Sequence, residues 1–195
     1  MPAPSDRTRL DRLAARQDER RARLRSVALG LLDAEGLPAL SVAAIAGAAN
    51  LSKPSFYTWY PALGDLLADL ADAVASEEAA AVGAAIAAAA DGPAAAAALV
   101  NGRLAQLPPA RFQLLWRWPD TLPATAAVAL HHSVRAPRRA LLEDALARRL
   151  GPAAPDGLPA LVWAWSQDRL AARDMGEAPA PPLSLALRAL LGAAG

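Results

Sequence analysis

Apolar residues recur along most of this chain at spacings of three and four, the mark of helices that bury one face. Leu24, Val27, Ala28, Leu31 and Leu32 fall at i, i+3, i+4, i+7 and i+8, which predicts a helix over 22–35. The charged, helix-forming stretch 6–21 extends it toward the N-terminus. Gly36 ends it. Ser41 is a good N-cap, and Val42, Ile45, Ala46 and Ala49 give the helix behind it one apolar face. Asn50 sits where the chain must turn, and Asn tolerates a left-handed backbone. Leu51 is expected to plug that turn. Ser52 or Lys53 caps the next helix. A residue before proline resists helical angles, which favours Lys53 as the cap and Pro54 as first helical residue.

The same pattern predicts a fourth helix from Pro61 to about Ala90 and a fifth over 93–106 behind the Asp91-Gly92-Pro93 stop and start. A sixth follows Pro108-Pro109 over 110–118. Pro119 and Pro123 bracket a linker. A seventh covers 123–149, expected to kink or break at Pro137. After a 151–157 loop come an eighth over 158–175 and a ninth over 183–191. Alternating β-branched runs are missing, so the expected class is all-α with about nine helices.

Composition narrows the function. The chain has 195 residues, 54% of them hydrophobic, which is ample for a core. Its net charge is only +1, but residues 1–60 hold nine basic against six acidic residues. A mild basic bias at that end suits an anionic partner without establishing one. Cysteine is absent, which excludes disulfides and thiolate chemistry. The N-terminus lacks the apolar run of a signal peptide, and the Ala-rich stretch 79–90 is too short and too weakly apolar to span a membrane. A cytoplasmic protein is expected. The chain has no P-loop, no dinucleotide-binding glycine pattern, no H-E-x-x-H and no G-x-S-x-G. We expect no enzyme, no catalytic residue and no cofactor. Adjacent His131 and His132 point about 100° apart on a helix, so no metal site is expected there.

Residues 41–60, SVAAIAGAANLSKPSFYTWY, carry the most information. With ALGLLDAEG before them and Leu66-Leu67 after, they resemble the DNA-binding segment of the TetR family of bacterial transcriptional regulators. The resemblance runs from about Arg23 to Leu70. Tyr57 matches the family's tyrosine near the end of its recognition helix, and Tyr60 the aromatic that follows. Asn50 replaces the usual turn glycine, and Leu63 the lysine that usually opens the fourth helix and touches the DNA backbone.

The resemblance implies an N-terminal three-helix DNA-binding domain over 18–78, with its helix-turn-helix at 41–60. Residues 1–17 would extend its first helix, and 79–195 would form a larger helical domain for ligand binding and dimerisation. It places Ser41, Lys53, Pro54, Ser55, Tyr57, Thr58 and Trp59 at the DNA. Ser41 and Tyr57 offer hydroxyls to phosphate, Trp59 an indole N–H, and Lys53 pairs with phosphate or a guanine edge. Phe56 is expected to point inward. The N-terminal arginines suit either a second DNA contact or a solvated face.

It further implies a homodimeric repressor on a palindromic operator in double-stranded DNA, released by a small molecule. The alternative is an orphan or protein-regulated dimer without such an inducer. Phe112, Trp116, His131 and Trp163 are the candidate ligand contacts, although a core or dimer contact is the commoner role for any one tryptophan. Residues 99–139 hold six arginines and only Asp120 as an acid, favouring a neutral or anionic ligand over a cationic one. Leu158, Leu161, Val162 and Trp165 form the apolar stripe assigned to the dimer interface.

Overall fold

The computed structural model describes the backbone of residues 6–177, with side chains from residue 18 onward. The ninth helix expected at 183–191 lies outside the described residues. The described part holds helices and turns without a strand. The helices are α1 (Asp6–Glu35), α2 (Val42–Ala48), α3 (Lys53–Trp59), α4 (Leu63–Ala88) and α5 (Gly92–Gln106). They continue with α6 (109–121), α7 (124–150) and α8 (Leu158–Asp174). The chain forms two compact units, Met1–Leu70 and Ala71–Gly195, and α4 supplies residues to both.

In the first unit, the apolar positions read from the sequence make the core. Leu24, Ala28 and Leu32 of α1 are buried, as are Ile45, Ala46 and Ala49 of the α2 segment, and Leu66, Leu67 and Leu70 of α4. Val27 and Leu31 flank that face, half-buried. Gly36 ends α1 at φ 84, a conformation a side chain would strain. Ser41 caps α2: its Oγ accepts from the Ala44 N–H at 3.1 Å.

Asn50 turns the chain in the left-handed region, at φ 55. The Leu51 N–H donates to the Ala46 carbonyl and the Asn50 N–H to the Gly47 carbonyl. These are the two bonds of a Schellman cap, with Asn where glycine is usual. Leu51 is half-buried, less than a full plug. The cap of α3 differs from expectation. Ser52 holds it, accepting from the Ser55 N–H at 3.2 Å, and Lys53 is the first helical residue. The reason is that Pro54 at the second position is also among the N–H groups a helix start leaves unpaired, so proline costs nothing there either.

The second unit buries Val82 and Ile86 of α4, Ala95, Ala96, Leu99 and Val100 of α5, Leu142 and Leu146 of α7, and Leu158, Val162 and Trp163 of α8. The alanine and glycine content lets these helices approach closely. A Cβ on Gly102 of α5 would lie 3.1 Å from Val82 Cγ2 of α4. Asp91 caps α5 through the Ala94 N–H at 2.7 Å. At the other end of α5, Arg173 of α8 donates to the Leu104 and Leu107 carbonyls, which the helix leaves unpaired.

Helices α6 and α7 each contain one π turn, at Gln113–Arg117 and His131–Arg135. Of the linker expected between Pro119 and Pro123, the first residues belong to a 3-10 turn, Trp118–Thr121, that closes α6. Helix α7 does not break at Pro137. Proline lacks an N–H and collides with the carbonyl four residues back, here that of Ser133. The wider π turn lies just before it, and the Arg138 guanidinium donates to the Ser133 carbonyl at 2.7 Å. The orphaned acceptor is thereby satisfied from within the same helix.

Candidate nucleic-acid interface

Helices α2 and α3 with the turn between them hold the seven residues singled out for DNA. Ser41, Lys53, Pro54 and Thr58 are exposed, and Tyr57 is 51% exposed, unusual for a large apolar ring. Ser55 and Trp59 are half-buried. Phe56 points inward, with no exposed surface. Helix α3 therefore shows one buried aromatic and a polar–aromatic outer face.

Their hydroxyls differ in freedom. Ser55 Oγ lies 2.8 Å from Ser52 Oγ, and Thr58 Oγ1 donates to the Pro54 carbonyl at 3.4 Å. Ser41 Oγ accepts in its cap and keeps its proton for another acceptor. No carboxylate among the described residues lies within ion-pair distance of Lys53, leaving its ammonium to an outside anion. Arg20, Arg21 and Arg23 on α1 are exposed, interspersed with exposed Asp18 and Glu19. The side chains of Arg7, Arg9, Arg12 and Arg16 lie outside the described residues.

A cluster unseen in the sequence holds the end of α3. The Tyr60 hydroxyl donates to Asp69 Oδ2 of α4 at 2.5 Å, and Arg25 of α1 pairs with Asp69 Oδ1 at 3.0 Å. The Arg21 guanidinium lies 5.7 Å from the Tyr60 ring centroid. Burial, reinforced by Asp69, pushes the Tyr60 hydroxyl well above its usual range, so it stays a donor. Two helices, α1 and α4, thus fix the C-terminal end of α3. The Tyr60-to-Asp69 spacing of nine residues, nearly two helical turns into α4, was the available hint.

The second unit separates the four ligand candidates. Phe112 is buried and sits 6.4 Å, ring to ring, from half-buried Trp116. His131 is half-buried on α7. Trp163 is buried elsewhere, under the Arg103 guanidinium at 3.6 Å. Arg103 is itself completely buried. It pairs with Glu78 at 2.7 Å and donates to Ser166 Oγ and Gln167 Oε1, each at 2.5 Å. Sequence reading missed this cluster, although Arg103 lies four residues beyond Leu99 and seven beyond Ala96, on their buried face. An open apolar groove of about 330 Å³ runs between Ser76, Ala79 and Ala80 of α4 and Pro137, Arg138 and Leu141 of α7, and includes none of the four.

The stripe on α8 divides. Leu158 and Val162 are buried in the core of the second unit, whereas Leu161 is 62% exposed and Trp165 half-buried, with Arg169 4.9 Å from its ring. Leu158 and Val162 are four apart and share one direction; Leu161 and Trp165 share another about 60° away. Among the described residues no three metal-ligating side chains cluster, and no helix is long and apolar enough to cross a membrane.

No protein-family model and no curated protein matches the chain. Solved structures do. A candidate transcriptional regulator from Streptomyces coelicolor A3(2), SCO7518, superposes with a TM-score of 0.60 at 23% identity, over 87% of this chain and 95% of its own. The candidate regulatory protein SCO4313 gives 0.57 at 21% identity, over 89% of both chains. A candidate TetR family regulator from Streptomyces coelicolor A3(2) gives 0.53 at 22% identity, over 86% of this chain and 78% of its own. At such identities the likeness is one of fold: the chain has the all-α fold of TetR-like regulators, a smaller N-terminal unit followed by a larger helical one.

Proposed function

We propose that this chain is a DNA-binding transcriptional regulator, acting as a homodimeric repressor that a small molecule releases from a palindromic operator. The observation that carries the reading is the α2–turn–α3 surface, read as a helix-turn-helix. Its turn is closed by a left-handed Asn50, and α3 buries Phe56 while exposing Lys53, Pro54, Tyr57 and Thr58. A helix of this kind fits a major groove. Residues 18–78 are the proposed DNA-binding domain and 79–195 the ligand-binding and dimerisation domain.

A dimer follows from the shortness of α3, which reaches few bases alone. Two copies about a two-fold axis read half-sites ~34–36 Å apart. Of the α8 residues, exposed Leu161 and half-buried Trp165 remain candidates for that contact, while Leu158 and Val162 are committed to the protomer's own core. Helix α4 contributes to both units, so a ligand that shifts it would change the recognition spacing. Moving such an equilibrium from 1:99 to 99:1 takes a preference of about 5.5 kcal/mol for one state.

One observation favours the second reading, a regulator without a small-molecule inducer: the Arg103 side chain occupies the space among α4, α5 and α8, each of its three nitrogens hydrogen-bonded to a protein side chain. Footprinting of the DNA upstream of the chain's own gene tests the first reading, with a discrete palindrome expected. Uniform protection would point to non-specific binding. Loss of the footprint with a stabilising compound separates the ligand-gated reading from the inducer-free one.

A further inference from the structure

Single π turns are rare in helices and concentrate at functional sites. The described residues of the second unit hold two, and Arg135 joins them. From the π turn of α7, Arg135 Nη1 donates to the Leu115 carbonyl in the π turn of α6 at 3.4 Å. Its guanidinium lies 4.7 Å from the centroid of the Trp116 ring. A proline stands two residues past each turn, Pro119 in α6 and Pro137 in α7, and Arg135 serves the Leu115 carbonyl that Pro119 deprives of its N–H partner.

At this junction two buried N–H groups lack an acceptor: Trp116 Nε1 and Arg135 Nε. Buried donors are nearly always paired, so each calls for a partner. Both are donors, so the partner they call for accepts. The surrounding charge sets its sign. No carboxylate among the described residues lies within ion-pair distance of Arg135, and Asp120 acts on it only from farther off. Half-buried His131 feels the positive charge of both Arg135 and Arg139. Arg139 has its own partner, Glu143, one turn along α7. The local excess is positive, and the acceptor that fits it is an anion. Beside it stands the Phe112–Trp116 aromatic pair, which suits an apolar body.

We infer that Trp116 and Arg135 form a receptor for the carboxylate of a small apolar organic acid, whose hydrocarbon or aromatic body packs on the Phe112–Trp116 pair. That such an acid would be the effector rests on the regulator reading above; that it binds does not. Guanidinium and indole N–H groups make charge-assisted bonds to a carboxylate, stronger than those to a neutral amide. Acids are therefore preferred over amides of the same shape.

The test follows the indole N–H signals of the five tryptophans by proton–nitrogen NMR, with Trp116 assigned through Trp116→Phe. Benzoate and octanoate are titrated against benzamide, octanamide and inorganic phosphate. The expected result is a saturable shift of the Trp116 indole and Arg135 Nε signals with the acids, and little with the amides. Trp116→Phe keeps an aromatic side chain while losing the N–H donor, and Arg135→Gln loses the charge; each is expected to weaken acid binding about 10- to 100-fold. Equal response to acids and amides, no response to either acid, or unchanged affinity in both variants overturns the site. Phosphate binding as tightly as the acids overturns its apolar half. A parallel gel shift separates the two readings. Acids that bind without releasing DNA leave the site standing and count against gating, whereas intact DNA binding without acid binding refutes the site alone.

Discussion

Breaking the Glu78–Arg103 pair from one side is expected to be far more damaging than replacing both partners. Arg103 is completely buried, and Glu78 is 4% exposed. In Glu78→Leu the guanidinium keeps Ser166, Gln167 and the Trp163 face but loses the counter-charge it pairs with among the described residues. In Arg103→Met the carboxylate is left alone in the core. Removing one member of a buried pair costs about 3–5 kcal/mol, because it strands the other charge. For a chain of this size each kcal/mol moves the melting temperature by roughly 2–4 °C, so each single variant melts roughly 6–20 °C lower. The double variant fills the space with apolar side chains of similar volume, and such replacements are often neutral or stabilising. Ser166 keeps its bond to the Trp163 carbonyl in any case. The double variant is expected within about 1.5 kcal/mol of the parent, read from urea unfolding of all four proteins. If it falls by the sum of the two singles, the pair contributes net stability and the reasoning from desolvation is wrong.

The same pair sets a pH dependence. Burial first of all pushes the Glu78 carboxyl above its ordinary value of 4.5, against the pull of Arg103. Above 4.5 the folded chain then holds this proton more tightly than the unfolded chain. Its contribution is therefore complete below that value and is lost as the pH rises through the folded pKa. Glu78→Gln flattens this part of the stability profile; an unchanged slope would remove Glu78 as its cause. In the first unit, Tyr60→Phe loses the bond to Asp69 and is expected to cost about 1.5 kcal/mol in urea unfolding, the usual range for a bond to a charged group. Asn50→Ala places an ordinary side chain at φ 55 and is expected to cost about 1 kcal/mol, whereas Asn50→Gly is neutral or mildly stabilising by the same measurement. Arg138→Leu unpairs the Ser133 carbonyl and its Asp72 partner and is expected to lower the melting temperature by a few degrees, roughly 1 kcal/mol.

What was legible in the sequence was local. Ser41, Gly36, Asp91 and Asn50 act within four or five residues of themselves, so caps and turns could be read one at a time. The inward face of α1 and α2 followed from period alone. The start of α3 was harder: Pro54 tolerates either register, and what decides is that Ser52 offers a hydroxyl acceptor to the Ser55 N–H whereas Lys53 has none. Pro137 misled because relief came from a π turn and an arginine side chain, neither of which periodicity reveals. Leu158 and Leu161 look alike along the chain, yet a difference in direction of about 60° sends one into the core and leaves the other exposed. The Arg103 cluster joins residues 25 and 63 or more positions apart, and the α6–α7 junction 20 apart. Such pairings depend on how helices stack, which a single apolar pattern does not encode.

Whether α3 reads DNA is decided most sharply by binding to the footprinted DNA, followed by fluorescence anisotropy across a salt series. Lys53→Ala and Tyr57→Phe alter exposed groups with no structural duty in the core. Lys53→Ala is expected to bind about tenfold more weakly, with the fold unchanged. Its salt dependence is expected to be shallower by about one unit, because one phosphate is no longer neutralised by the protein. Tyr57→Phe is expected to weaken binding by a smaller factor. Parent-like affinity and salt slope in both variants would contradict α3 as the recognition helix.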